Sequence, residues 1–189
     1  MEVNFFGAQN VCREVIPLMR ERRTGRIINI SSVAGFSASP CFSAYNCSKW
    51  ALEAFSECLR SELKFYGIEV FLIEPGTYKT KIFYDNARYA QNFDNPQSPY
   101  YRISRHLKMR VLHYVNNCRK DPEAIPLLIE RLIKGKNLSL RHIPDIEGRL
   151  LYWARKFLPF RVYSWLCQQA LFIDLSWDNK LQRNSHSLF

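Results

Sequence analysis

Tyr45 and Lys49 stand four residues apart in "SAYNCSKWALEAF", at the opening of a helical pattern, so their side chains share one helix face. A phenol has a reference pKa near 10. Acting as a base near neutrality requires stabilising its anion by about 3 pK units, roughly 4 kcal/mol. A cation about 4 Å away, at an effective dielectric near 20, contributes on the order of 4 kcal/mol. One ammonium is therefore the right size to make a partly dry phenol exchange protons. The spacing alone is common, since ten tyrosines and ordinary lysine usage give roughly one such pair by chance. Its surroundings narrow the reading. Ser32 ends an apolar run thirteen residues before Tyr45, at the edge where open α/β sheets gather ligands. Its hydroxyl could hydrogen-bond a substrate oxygen with which Tyr45 exchanges a proton. Ser31 is the nearest rival, but strand alternation points it to the other side. Pro75-Gly76 closes a second apolar run at the equivalent edge, and Thr80 follows four residues later.

The elements that must position these groups read as helix, strand, helix, strand. "VNFFGAQNVCREVIPLMRERR" has Val11, Val15, Leu18 and Met19 near helical spacing, a basic end and Gly25 as its stop, with Pro17 predicting a kink. "RIINIS" is a buried parallel strand. After a small-residue loop, Ser43 caps a helix that runs to about Tyr66, with Gly67 as its C-terminal stop. "IEVFLIEP" is the second strand. Short connections between such elements are the grammar of an α/β parallel sheet. Beyond Thr80, "YDNARYAQNFDNPQSPYY" reads as an irregular segment. "DPEAIPLLIERLIKGK" is a helix opening at Asp121-Pro122 and ending at Gly135. "GRLLYWARKFLPFRVYSWLCQQALF" is helical and broken at Pro159, and the tail from Asp178 is expected to fray.

Composition sets limits. The chain's 189 residues suffice for one good-sized core, and 47% apolar with 23% charged residues suits a globular protein. Six scattered cysteines, without a CxxC pair, argue against zinc or a disulfide framework and for a reducing cytosol. No apolar run reaches the roughly eighteen residues of a membrane span, and the N-terminus lacks the features of a signal peptide. The net charge of +10 belongs to the second half: residues 102–163 hold fourteen Lys/Arg against five Asp/Glu, residues 1–83 ten against eight. Such an excess suits an anionic membrane surface or a phosphate-bearing cofactor, or simply a solvated face. Nucleic acid is the weaker partner, because no recognised module accompanies the charge.

Taken together, these residues resemble the short-chain dehydrogenase/reductase family. Its motifs are present as Ser-x12-Tyr-x3-Lys (Ser32, Tyr45, Lys49) and Pro-Gly-x3-Thr (Pro75, Gly76, Thr80), and "VNFFG" matches the family's Asn-bearing segment at Asn4. The resemblance implies an α/β fold, here the C-terminal portion of a doubly wound Rossmann-type parallel sheet with flanking helices and a helical C-terminal extension. It implies hydride transfer between NAD or NADP and an alcohol or ketone. Tyr45 would be the general acid/base, and Lys49 would lower its pKa and hold the cofactor ribose. Ser32 would orient the substrate oxygen, and Asn4 would fix a water relaying protons from Lys49. Pro75, Gly76 and Thr80 would line the nicotinamide.

The resemblance also has a gap. The glycine-rich dinucleotide fingerprint is absent from the 189 residues, which leads us to expect an N-terminally truncated enzyme that binds nicotinamide cofactors poorly by itself. A non-catalytic, membrane-peripheral or subunit-binding remnant is the rival expectation. Residues 1–83 form the partial catalytic segment, 84–118 a substrate lid, and 119–189 a helical region of the same domain. The C-terminal helices look like those of retinol- and hydroxysteroid-dehydrogenase-type members. The segment after Thr80 offers Phe83, Tyr84, Tyr89, Phe93, Tyr100 and Tyr101 to a lipophilic alcohol or ketone, or to the core beneath it. "LLYWARKFLPFRVYSWL" mixes aromatic and basic residues as an interfacial helix does. In the family the helices before and after the first strand form the usual subunit interface, so the resemblance implies a homodimer, for which the small face Ala51, Ala54, Cys58 would allow close helix packing.

Overall fold

The structure, a computed structural model, describes residues 1–135 and 138–172, so the expectation for the tail from Asp178 lies outside the described residues. Three parallel strands lie in the order β1 (Gly25–Ile30), β2 (Ile68–Ile73), β3 (Arg141–His142). Gly25 pairs with Ile68 and Ile30 with Ile73, while Leu72 pairs with Arg141. Successive strand side chains alternate between faces, and both faces of β2 are covered. On one side α1 (Ala8–Arg22) and α2 (Ser43–Leu63) bury Cys12, Ile27, Leu59, Leu63, Ile68 and Val70. On the other, α4 (Ala124–Lys134) buries Leu132 against Phe71 and Ile73, with Ile28, Ile125 and Leu128 alongside. Each such side chain contributes about 1.5–3 kcal/mol on leaving water. A parallel sheet wound on both faces is the expected architecture.

Several element ends differ from expectation. A π-helical turn, Glu2–Gly7, precedes α1. That helix stops at Arg23 in the left-handed region (φ 53°), and Gly25 is already strand. The turn is held from outside, because Arg23 Nη1 donates to the Phe65 carbonyl at 3.0 Å. Gly67 (φ 70°) must be glycine there, since a Cβ would sit 2.4 Å from the Arg23 oxygen. Ser43 is the first residue of α2 and does not cap it; Phe42 occupies the cap position without a side-chain bond. The helix ends in a 3-10 turn, Lys64–Tyr66. Within the expected lid, and just past the segment expected to be irregular, a full helix forms, α3 (Tyr101–Asn116), which buries Ser104, Leu107 and Val115. The helix expected from Asp121 begins at Ala124, because Asp121 Oδ1 accepts from the Glu123 amide in a turn before it. α5 (Ile146–Phe157) and α6 (Phe160–Phe172) are separated at Pro159 as expected. The described residues divide into two compact units after Tyr152.

Candidate active site

Each site residue is placed by its element's end. Leaving β1, Ser31 donates its amide to the Ile73 carbonyl at 2.7 Å, which aligns the tips of β1 and β2. Ser32 follows in an extended conformation; its Oγ accepts from the Ala34 amide at 3.2 Å and donates to the Pro75 carbonyl at 3.4 Å. The hydroxyl is thereby set between the two strand tips. α2 is fastened across β1 by Asn29, whose Nδ2 donates to Ser56 Oγ at 2.8 Å. That fastening presents the first turns of α2 to the strand tips, with Tyr45 half-buried and Lys49 buried.

The Ser32 hydroxyl lies near enough to the Tyr45 phenol to favour its anion. Lys49 Nζ donates to the Ile30 carbonyl at 2.9 Å and lies 5.8 Å from the centre of the Tyr45 ring. Burial pushes the Tyr45 phenol up from its ordinary value, and the Ser32 hydroxyl pulls it back. Lys49 is pulled down by burial and held up by the Glu53 carboxylate one turn along the helix. The net direction for the phenol is upward, so burial outweighs the stabilisation of its anion in this arrangement. Asn4 Nδ2 donates to Ser48 Oγ at 3.1 Å, and Ser48 donates to the Tyr45 carbonyl at 2.7 Å. Asn4 thus ties the turn before α1 to the helix segment between Tyr45 and Lys49.

Pro75 and Gly76 stand beside Ser32, and the Pro75 carbonyl also accepts from the Val33 amide at 3.0 Å. Thr80 is exposed, with no side-chain hydrogen bond among the described residues, and opens the short turn Lys81–Phe83. Geometry therefore gathers Ser32, Tyr45, Lys49, Pro75 and Gly76, reaches Asn4 through Ser48, and leaves Thr80 on the rim.

Two residues not singled out from sequence hold the Pro75-Gly76 corner. Asp145, buried, accepts from the Gly76 amide at 2.8 Å and from the Gly148 amide at 3.0 Å. Lys120 donates to Asp145 at 3.2 Å and pairs with Glu147 at 3.0 Å. The "DIEGRLL" pattern carries the N-cap signal for the bond to Gly148. Nothing local announces the bond to Gly76. Of the lid aromatics, Phe83, Phe93 and Tyr101 are half-buried, whereas Tyr84, Tyr89 and Tyr100 are exposed. Tyr89 and Phe93 contact each other, with ring centres 4.6 Å apart, and Lys108 sits 4.5 Å over Tyr89. Among the described residues no cluster of three or more His, Cys, Asp or Glu could hold a metal, and no helix is long and apolar enough to cross a membrane.

The chain is similar to short-chain dehydrogenases. A short chain dehydrogenase family profile matches residues 1–89. An uncharacterized oxidoreductase of Bacillus subtilis is 33% identical over 175 residues, covering 90% of this chain and 61% of its own. A 3-ketodihydrosphingosine reductase of Bacteroides thetaiotaomicron is 37% identical over 145 residues, covering 75% of this chain and 51% of its own. A short-chain dehydrogenase structure from Streptomyces avermitilis superposes with a TM-score of 0.64 at 27% identity, over 93% of this chain and 59% of that one. A Burkholderia phymatum short chain dehydrogenase/reductase solved with NAD has the same fold, with a TM-score of 0.63 at 21% identity over 82% of this chain and 56% of that one. The chain spans between about half and three-fifths of the length of these relatives.

Proposed function

Because the chain belongs to the short-chain dehydrogenase/reductase family, we propose that it serves an NAD(P)-dependent oxidoreductase interconverting an alcohol and a carbonyl compound. The observation that carries the reading is the meeting of the Ser32 hydroxyl, Tyr45 phenol and Lys49 ammonium at one sheet edge, beside Pro75-Gly76. The donor set fits the nicotinamide ribose. Lys49 has three N–H donors and spends one on Ile30, leaving two for ribose hydroxyls. Pro75, Gly76 and the rim residue Thr80 would flank the nicotinamide ring. When bound, the nicotinamide accepts the hydride of an alcohol or returns it to a carbonyl carbon.

The chain's own residues do the rest. Ser32 donates to the substrate oxygen and fixes its position. Tyr45 takes the alcohol proton as the carbon–hydrogen bond breaks, or gives it back to the forming alkoxide in reduction. Lys49 favours the phenolate during that exchange, and Asn4, through Ser48, holds the intervening helical turn in place. We assign a lipophilic alcohol or ketone as substrate. The aromatic set Phe83, Tyr84, Tyr89, Phe93, Tyr100 and Tyr101 supports this, as does the sphingoid substrate in the name of the Bacteroides relative.

The test fuses residues 1–189 behind the glycine-rich strand–helix unit of a family member and follows nicotinamide absorbance with long-chain ketones. Tyr45→Phe should lower kcat by about 10²-fold or more while changing cofactor Kd by less than about threefold. Unchanged turnover ends the assignment. For residues 1–189 alone, titration calorimetry should find only weak NADH or NADPH binding, because the phosphate cradle is not among these residues.

A second surface supports peripheral membrane contact. On α5, Ile146, Leu150, Trp153 and Phe157 form an exposed apolar stripe flanked by Arg149, Arg155 and Lys156. We read it as lying against anionic lipid, and co-sedimentation with phosphatidylserine vesicles, lost in Leu150→Glu with Phe157→Glu, checks it. The partly or wholly exposed Ala51, Ala54 and Cys58 face of α2 fits a homodimer, which light scattering would report. Free thiols at all six cysteines accord with a reducing, cytoplasmic location.

A further inference from the structure

Behind the catalytic residues, α2, the end of β2 and β3 enclose an acidic cluster that the reaction does not use directly. Glu74 follows β2 on the face of Val70 and Leu72 and is fully buried; Glu53, on α2, is 4% exposed. Arg141 of β3 reaches both, its Nη1 pairing with Glu53 and Glu74 and its Nη2 with Glu57 on the helix surface. Three atoms here are buried without a hydrogen-bond partner: Glu53 Oε1, Glu74 Oε2 and Ser31 Oγ. Two buried carboxylates are both acceptors and cannot satisfy one another, yet these two lie within hydrogen-bonding reach. Gly35 closes the site, for a Cβ there would meet Ser31 Oγ at 2.8 Å and Glu53 Oε1 at 2.9 Å.

Charge balance points the same way. The groups facing the pair are Lys49 and Glu57 from α2, Arg141 from β3 and Ser31 from the end of β1. Farther along, Arg60 is turned to the Val70 and Leu138 carbonyls and His142 to the Ser139 carbonyl. Arg141 is divided among Glu53, Glu74 and the surface Glu57, and Lys49 Nζ is turned to the Ile30 carbonyl, so the two adjoining buried carboxyls have no cation to themselves. One proton between them lifts their mutual repulsion and gives an orphaned oxygen a donor.

We propose that Glu53 and Glu74 share a single proton, Glu74 carrying it, and that the remaining charge on Glu53 makes Glu53 a positioning residue for Lys49. Glu53 lies one helical turn behind Lys49, on the side away from Tyr45, and opposes the downward pull that burial exerts on the lysine. Burial and the neighbouring Glu53 push Glu74 up to about 8, in keeping with a proton held at neutral pH. The significance for catalysis rests on the Tyr45–Lys49 reading above; the shared proton does not.

The test is a carboxyl-carbon NMR titration of the 189-residue chain with labelled glutamate, assigned through Glu53→Gln and Glu74→Gln. One of the two groups should titrate above pH 7; both titrating below about pH 6 overturns the proposal. Lys49 is followed at its ε-carbon. Glu53→Gln should raise its proton dissociation constant about tenfold or more, and Glu74→Gln should change it less than about twofold. Equal shifts in the two variants, or none in Glu53→Gln, overturn the positioning role. Should either variant fail to fold, the wild-type carboxyl titration alone decides the shared proton, and Glu53→Asp, which keeps the charge, replaces Glu53→Gln with near-normal Lys49 titration expected. A catalytically inert Tyr45 would leave these titrations unmoved, so the two readings fail separately.

Discussion

Replacing Lys49 by methionine keeps the aliphatic stem and removes the charge beside Tyr45. With Nζ 5.8 Å from the ring centre, an effective dielectric near 20 gives about 3 kcal/mol of stabilisation for the phenolate, or about 2 pK units. At the dielectric of water the figure falls to about 0.7 kcal/mol, about half a unit. Lys49 is 9% exposed, so the larger value is the better guide. Losing a cation disfavours the anion, and the Tyr45 pKa must rise in the variant. Burial already pushes it up in the wild type, and the increase adds to that direction. Tyrosine labelled at Cζ, with Tyr45 assigned by its disappearance in Tyr45→Phe, reports the titration by NMR against nine other phenols. A Tyr45 midpoint that falls, or moves by less than about 0.3 unit, would refute the electrostatic link on which the acid/base role depends.

Asp145→Ala strands the Gly76 and Gly148 amides and leaves Lys120 with Glu147 alone, and should cost about 2–4 kcal/mol in urea unfolding. Leu132→Ala opens a cavity at a fully buried contact of α4 with β2 and should cost about 2–5 kcal/mol in the same assay. A carboxyl held above its unfolded value stabilises the fold only while protonated. The Glu74 contribution is therefore complete below about pH 4.5 and is lost as pH rises through about 8. Unfolding free energy measured across that window should carry a negative slope of up to about 1.4 kcal/mol per pH unit that Glu74→Gln abolishes.

Much of this was legible in the residues. β1, α2 and β2 announce themselves because β2 is buried on both sides and α2 carries a long apolar stripe, and the motif residues occupy their ends. α3 escaped because it is basic and aromatic over most of its surface and buries only Ser104, Leu107 and Val115. β3 escaped because two polar residues make no pattern; it exists as strand only through the edge of β2, where the Leu72 and Glu74 amides donate to Leu140 and His142 at 2.7 and 3.0 Å. Arg23 in place of Gly25 as the stop of α1 depends on Phe65, forty-two residues away. The same holds for the site. Ser32, Tyr45 and Lys49 are set by neighbours along the chain. The partners that settle their charge and the corner beside them, Arg141 and Asp145, arrive from distant sequence.

That distance gives the fold a chronology. Glu74 leaves the ribosome sixty-seven residues before Arg141, an interval of about 3–13 s at ordinary elongation rates. From Thr80 onward the nascent chain holds every motif residue, but an acid destined for burial lacks its guanidinium, and β1 and β2 have little reason to close over it. Synthesis of β3 is the event that releases this hesitation, so premature termination between Thr80 and Arg141 should yield polypeptides recognised by proteases as unfinished, however complete their catalytic signature looks on paper.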